Sequence, residues 1–465
     1  MKKILLALIL GSFCLSANAH DEYYVPDVNP TFQINVYNEG ETILDSQDEP
    51  LTSEYTMSEN QREALLDAAK TWNNILKTPP NPNKLPTYAI TTMDDINAYT
   101  LRDYVQVEDS PYLLTQINAL INNKTAVGGY PDINCNIVIG NGLIQDDPGW
   151  SYYTGPTALY HEDYPDLYYT VMHEMYHSLG LVSNSSMYIP GDDTYYFSEN
   201  TSSPISLWDS GLRVYANYMN EPFDAAKIIA AAPGMSINTE LFGTGTFDIY
   251  NYSPYFAGKE TLKVLTGLDD TEENMQAYIF SKGCLKNYSV NIDPWSESKV
   301  LGLPVNPIEG GAELSHIELR NSSMSHQYYR NWTTLMEAEL AVLKDLGYTN
   351  VELRDFFGKS YYLDNITDTF STGYGEWNGT NYNGYSTITN GIGLHIYGNN
   401  DIITQNSNTL SSGKAAIGTR IDGTNDTYTL NNSLIDVKGD DSIGVAVTWG
   451  KGHNVNIDSG STVIA

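Results

Sequence analysis

His173, Glu174 and His177 fall in the stretch DLYYTVMHEMYHSLG, Asp166–Gly180, and their types and spacing suit one kind of chemistry. On a helix, residues four apart stand one turn above each other on the same face, so the two imidazoles converge on a single point. Neutral imidazole nitrogens in that arrangement suit Zn²⁺. Glu174 lies beside the pair, poorly placed to bind the same ion and well placed to take a proton from a water that the ion activates. A catalytic zinc takes three protein ligands and keeps one position open, so a third donor must stand elsewhere in the chain. The flanking apolar positions, and Gly180 just after the second histidine, weigh against the bland reading of an amphipathic helix with two satisfied histidines.

The elements that must hold these residues have their own signals. Asp166 is placed to cap the helix, Leu167, Val171, Met175 and Leu179 supply apolar positions, and Gly180 can take the left-handed turn that ends it. Upstream, Ser58 followed by Gln61 forms a capping box, and Leu65, Ala68, Ala69, Trp72, Ile75 and Leu76 continue at helical spacing until Pro79-Pro80 stops the run. From Ile133 to Ile139 apolar residues alternate with Asn134, Asn136 and Val138 as in a strand, ended by Gly140-Asn141-Gly142. A helix, then strands, then the His173 helix is an α+β order. In zinc proteases, which this order resembles, such a strand borders the cleft and pairs with an extended substrate by strand addition, and the resemblance implies that role here.

Composition sets the compartment and the partners. The chain has 465 residues, room for two or three domains with cores of their own. Its 24 Lys and Arg stand against 57 Asp and Glu, a formal net charge of −33 spread along the length, which disfavours phosphate backbones and anionic lipid; nucleic acid is not an expected partner. Lys2, Lys3, the apolar run from Ile4 to about Phe13 and Ala17-Asn18-Ala19 make residues 1–19 a secretory signal peptide, with cleavage before His20. A membrane anchor would need a longer run. Cys14 belongs to the signal. Cys135 and Cys284 remain, to be paired after export or left as two buried thiols. No other apolar run has membrane-spanning length, so the mature chain reads as soluble and exported, secreted or at a bacterial cell surface. Residues 20–57 are polar and interrupted by Pro26, Pro30 and Pro50, an extended segment or short pro-region.

The NIVIG strand and the HExxHxxG of His173–Gly180 resemble the catalytic domain of metzincin zinc proteases. Compact metzincins place a third histidine three residues after that glycine, and in this chain Ser183 occupies the position. Residues 184–315 read as a long insertion rich in Tyr, Asn, Ser and Gly. Within and after it come SLWDSGL (Ser206–Leu212), PYFAGKETLKVLTG (Pro254–Gly267), GLPV (Gly302–Val305) and ELSHIELRNSSMSH (Glu313–His326). This order is similar to bacterial relatives of leishmanolysin, in which an insertion separates the motif from a distant third histidine. The resemblance covers roughly Ser58 to Tyr348 and implies a metzincin-like domain over residues 58–355, with His316 as the third zinc ligand and Met324 in a turn that floors the metal. MEAELAVLKDLGY, Met336–Tyr348, reads as the closing helix, with Met336 in the core. His326 also follows a serine and precedes a methionine, but that methionine, Met336, continues into the helical pattern of Leu340 and Leu343. Met324 instead lies in the turn-prone Asn321-Ser322-Ser323-Met324-Ser325, so the flanks favour His316. His326 is left to line the cleft or to lie on the surface.

After Phe357 the composition changes. Residues 356–390 read as a linker rich in Gly, Asn, Thr and Tyr. IGLHIYG (Ile392–Gly398), IGTRIDG (Ile417–Gly423) and IGVAVTWG (Ile443–Gly450) then repeat with starts 25 and 26 residues apart. Short β-prone runs between Gly and Asn turns are the pattern of stacked parallel β-helix rungs, each unable to bury its apolar face alone. Residues 391–465 therefore read as a separately folded β-helix, and the stretch resembles passenger regions of bacterial autotransporters. His395 and His453 are expected at the surface or in turns. The sequence ends at Ala465 without the alternating strands of an outer-membrane barrel, which leaves a fragment of a longer autotransporter, with an outer-membrane translocator as partner, or release by another route.

The expected fold class is α+β: a metzincin-like zinc protease domain with a long insertion, then an all-β parallel β-helix segment. The function these readings imply is a secreted or cell-surface zinc endopeptidase acting on protein or peptide substrates, with Zn²⁺ on His173, His177 and His316 and Glu174 as general base. A surface adhesin whose β-helix carries the function, beside a vestigial or structural zinc domain, is the competing reading. An intact Glu174 argues against it, since a structural zinc site needs no carboxylate beside its ligands and fills its fourth position. A thermolysin-like site with a downstream Glu as third ligand is disfavoured by Gly180 and by the SHIE run.

Overall fold

The structure is a computed structural model; it describes residues 20–44, 49–79, 81, 84–93, 98–140, 167–183, 187–188, 195–197, 206–216, 227–228, 246–247, 252–283, 285–286, 299–305, 314–325 and 335–465. The signal segment, Asp166, Cys284, His326 and most of the insertion, Phe223–Ala226 and Ile229–Ala232 included, lie outside the described residues. The N-terminal part runs β1 (Asp21–Val25), β2 (Phe32–Val36), the hairpin β3 (Thr42–Leu44) and β4 (Pro50–Thr52), α1 (Glu59–Leu76), β5 (Thr87–Met93), β6 (Tyr99–Arg102), the hairpin β7 (Tyr104–Gln106) and β8 (Leu113–Thr115), α2 (Gln116–Ile121), β9 (Cys135–Gly140) and α3 (Leu167–Ser178).

The capping box forms as its residues require. Ser58 Oγ accepts the Gln61 N–H at 3.4 Å and the Gln61 side chain accepts the Ser58 N–H at 2.7 Å, which satisfies two of the donors that a helix start leaves over. The apolar face of α1 packs on α3, all twelve residues of which are buried. Trp72 fixes the pair, its Nε1 donating to the Met172 carbonyl at 3.1 Å and its ring meeting Tyr176 edge-on at 5.1 Å. Gly180, at φ +115°, ends the α3 segment.

Both helices lie over a sheet of order β1-β2-β5-β9-β6, in which β2, β5 and β9 run parallel and the outer β1 and β6 antiparallel to their neighbours. This corrects the expectation for NIVIG. Strand β9 has β5 on one side and β6 on the other, so it offers no edge, and β6 is the outer strand. The alternation with asparagine misled because those asparagines are buried and partnered: Asn134 Oδ1 accepts the Thr87 N–H at 3.0 Å, its Nδ2 donates to Gln116 Oε1 at 3.1 Å, and Asn136 Oδ1 accepts from Thr91 at 3.3 Å. Cys135 is buried on β9.

The described part of the insertion is not a separate lobe. It contributes α4 (Leu207–Ser210), an antiparallel sheet that includes Leu212–Ala216, Tyr252–Phe256 and Leu303–Pro304, and the helices α5 (Lys259–Thr266) and α6 (Glu272–Ser281). The closing segment adds α7 (Glu337–Asp345) and α8 (Leu353–Phe356). Helix α5 has Gly258 at its cap and no side-chain cap of its own; Asp345 supplies one from α7, accepting from the Glu260 and Thr261 N–H groups at 2.8 and 2.9 Å. Trp208 stacks on Phe256 at 4.4 Å and donates to the Leu314 carbonyl at 2.7 Å, so the insertion reaches the segment that carries His316.

The C-terminal residues form three parallel sheets, an arrangement compatible with a β-helix. One sheet stacks Phe357–Tyr361, Ile392–Ile396, Ile417–Ile421 and Ile443–Val447; the others stack the strands that follow each of these. The 25- and 26-residue repeats lie in register, Ile392 on Ile417 on Ile443. Residues 356–390, expected as a linker, include the first strands of two of these sheets, Phe357–Tyr361 and Thr367–Phe370. Their sequence carries no IG motif and stands 35 residues before the next copy, Phe357 pairing with Ile392, so the repeat is not visible there. Nor is the stack separate: Phe356, Phe357, Tyr362, Ile392, Tyr397 and Ile417 belong to the same apolar core as α1, α3 and α7. No described helix is long and apolar enough to cross a membrane.

Candidate metal centre

Helix α3 sets His173 and His177 one turn apart, and their ring nitrogens are aimed by backbone carbonyls. His173 Nδ1 lies 2.8 Å from the Ser323 carbonyl and His177 Nδ1 lies 2.9 Å from the Leu181 carbonyl. A carbonyl oxygen only accepts, so both Nδ1 atoms carry the proton and both Nε2 atoms present a lone pair. Those lone pairs converge: His177 Nε2 is 3.1 Å from His173 Nε2, which is 3.2 Å from His316 Nε2.

Three histidines, two buried and one half-buried, thus offer one nitrogen each, all within 4.8 Å of one another, the only such group of His, Cys, Asp or Glu among the described residues. Nitrogens bound to one tetrahedral zinc stand about 3.3 Å apart, given Zn–N bonds of about 2.0–2.1 Å. The donor set therefore fits a divalent metal of the zinc kind.

His316 arrives from a segment far away in sequence. Val305 bridges Ile317, the Glu318 N–H donates to the Pro304 carbonyl at 2.9 Å, and the Ile317 N–H donates to the Met324 carbonyl at 3.0 Å. The chain then turns through 321–325, with Met324 fully buried. Glu339 of α7 holds this turn: it accepts from Ser322 Oγ at 2.5 Å, from the Met324 N–H at 2.8 Å and from the Met336 N–H at 2.6 Å. Burial pushes its carboxyl up to about 7, against those hydrogen bonds, which pull it down. Met336 is a buried residue at the start of α7, as its helical pattern suggests.

Glu174 is buried on α3, and Thr100 on β6 reaches it: Thr100 Oγ1 lies 2.8 Å from Glu174 Oε2 and 2.9 Å from the Glu174 carbonyl. The edge strand and the carboxylate are therefore linked directly. Thr100, the Ser323 carbonyl and the hold of Glu339 on the 322–324 turn had no signal in the sequence, since their partners lie 74, 150 and 15 to 17 residues away, and the Leu181 carbonyl had none because a backbone group is the same in every residue.

Of the two other histidines expected at the surface or in turns, His395 differs, while His453 lies between strands and is half-buried. His395 is fully buried, with Nε2 2.8 Å from Asp422 Oδ2, because Asp422 and Arg420 on the neighbouring turn supply the partners that let an imidazole leave water. His453 Nδ1 sits 3.2 Å from Asp426 Oδ2. Comparison with protein-family models, with curated proteins and with solved structures finds no match to this chain.

Proposed function

We propose that the chain is a secreted or cell-surface zinc endopeptidase of the metzincin type, with His173, His177 and His316 as ligands, Glu174 as base, and a C-terminal parallel β-helix. One observation carries the reading: three Nε2 atoms converging on one point, two of them held unprotonated by carbonyls on the other side of their rings, with a buried carboxylate on the residue next to the first. Zinc, when bound there, lowers the pKa of a coordinated water toward neutrality and polarises a carbonyl. Glu174 takes the proton of the attacking water at a carboxylate oxygen and returns it to the leaving amine. Thr100 holds that carboxylate in place. Strand β6 is one of the two outer strands of the described sheet and the one that reaches Glu174, so an extended peptide adding to it would bring its carbonyl to the site.

The test is to incubate the purified mature protein with denatured protein substrates, with zinc and with a chelator. Cleavage that the chelator removes and zinc restores is expected. No cleavage by a zinc-loaded wild type would overturn the peptidase reading and leave the adhesin.

A further inference from the structure

The 319–325 segment, which orients His173 through the Ser323 carbonyl, is also held by the C-terminal stack. The Arg320 N–H donates to Tyr397 Oη at 2.7 Å, Asn321 Nδ2 to Asp422 Oδ1 at 3.5 Å, and the Arg320 guanidinium lies 3.5 Å from the centre of the Trp449 ring. Tyr397, Asp422 and Trp449 come from three successive turns of the stack, each just past a strand of the first sheet.

Asp422 is itself fixed. Its Oδ2 meets His395 Nε2 at 2.8 Å and Arg420 Nε at 2.9 Å, and its Oδ1 accepts from Thr448 Oγ1 at 2.6 Å, with His395 and Arg420 fully buried. A buried carboxylate with three partners has one position available to it, and a hydrogen bond from Asn321 inherits that precision. The same segment is also pinned by Glu339. Between those two clamps the Ser323 carbonyl has little freedom, and it sets the His173 ring.

We propose that the C-terminal stack is a structural part of the metal centre, in which Tyr397 and Asp422 are positioning residues that fix the 319–325 segment and, through the Ser323 carbonyl, the His173 ligand. This rests on the three histidines being a metal site, and it does not depend on peptidase activity. It assigns the stack a role at the metal in addition to any role in display.

The experiment uses the full mature chain and reads metal, not turnover: zinc affinity by competition with a chromophoric chelator, and the visible spectrum of the Co²⁺-loaded protein, which reports ligand geometry. Tyr397→Phe keeps the ring and removes the acceptor for Arg320. Asn321→Gly removes the link to Asp422 at a position whose φ of +63° glycine tolerates. Tyr428→Phe is the control, since that hydroxyl bonds Gln405 and Thr419 inside the stack at 2.8 and 3.1 Å. Both test variants should weaken zinc by roughly tenfold or more and shift the cobalt bands, the scale usual for partners that orient ligands. The control should keep wild-type affinity and spectrum even if it melts earlier. Wild-type affinity and spectrum in both test variants, or an equal loss in the control, would overturn the positioning role. Should Tyr397→Phe not fold, Asn321→Gly decides. A wild type that binds neither ion would overturn the metal site and this role with it.

Discussion

Each α3 histidine places one ring nitrogen against a backbone carbonyl, which turns its other nitrogen toward the point where the three rings meet. Glu174 is treated differently, since the Thr100 hydroxyl meets its carboxylate from the edge strand. The division of labour can be tested one residue at a time. Glu174→Gln keeps the shape and removes the base, so peptide turnover should fall by on the order of a thousandfold while zinc stays bound. Metal analysis beside a peptide assay separates the cases, and zinc lost along with turnover would make Glu174 a ligand. Thr100→Val removes the hydroxyl at nearly constant volume and should lower kcat by about tenfold, with zinc content unchanged. A wild-type kcat in that variant would mean that the carboxylate needs no such support.

Among the elements, the end of α3 is where fold and site meet. Gly180 has φ +115°, and a Cβ there would stand 3.3 Å from Asn118 Nδ2, which donates to the Leu179 and Leu346 carbonyls at 3.1 and 3.0 Å. Gly180→Ala should cost about 1–2 kcal/mol from the backbone alone, and it displaces the Leu181 carbonyl that sets His177. Reduced stability in denaturant together with weaker zinc is expected; weaker stability with unchanged zinc would separate the two effects. In the C-terminal sheets, Asp401 Oδ1 accepts the Ile366 N–H at 2.7 Å and Asp426 Oδ1 accepts the Asp401 N–H at 2.9 Å, one carboxyl above the other. Burial first, and then the neighbouring carboxylates, push Asp401 up to about 8, and burial pushes Asp426 up to about 6. A raised carboxyl holds its proton in the folded state after the unfolded chain has lost it. Its contribution is complete below the unfolded value of 3.8 and is lost as pH rises through the folded value, so stability should decline between about pH 4 and 8. Asp401→Asn keeps the acceptor for Ile366 and removes the charge. Thermal unfolding at pH 5 and pH 8.5 should show the variant melting higher than wild type at the upper pH and with a smaller difference between the two; an unchanged wild-type difference would place the titration elsewhere.

The N-terminal part and the C-terminal stack share one core, and this governs how the molecule behaves as a unit. Phe356, Phe357, Ile392 and Tyr397 pack in the same apolar cluster as Trp72, Tyr176 and Met324. A chain cut after Phe357 would expose that surface and lose the partners of Arg320 and Asn321, so it should be poorly soluble or fail to retain zinc. Recovery of a soluble, zinc-binding truncation would show that the N-terminal part folds without the stack. The charge of −33 points the same way at low salt, since self-repulsion makes the molecule lean on its core.

Features that act over one or two turns were legible along the chain. The 173–177 spacing places two imidazoles on one helix face, Ser58 and Gln61 close a capping box, and the 25-residue period returns isoleucine to isoleucine in register. Flank chemistry also pointed to His316 and Met324, and the three histidines do lie together. Which strand is the edge emerged only from the folded arrangement, because Asn134 and Asn136 look solvated until their buried partners are seen. The same holds for the boundary near residue 391, for the burial of His395 and for the contact of the stack with the 319–325 segment. Each depends on side chains that are distant in sequence and adjacent in space, and polarity or periodicity along the chain carries no information about such pairs.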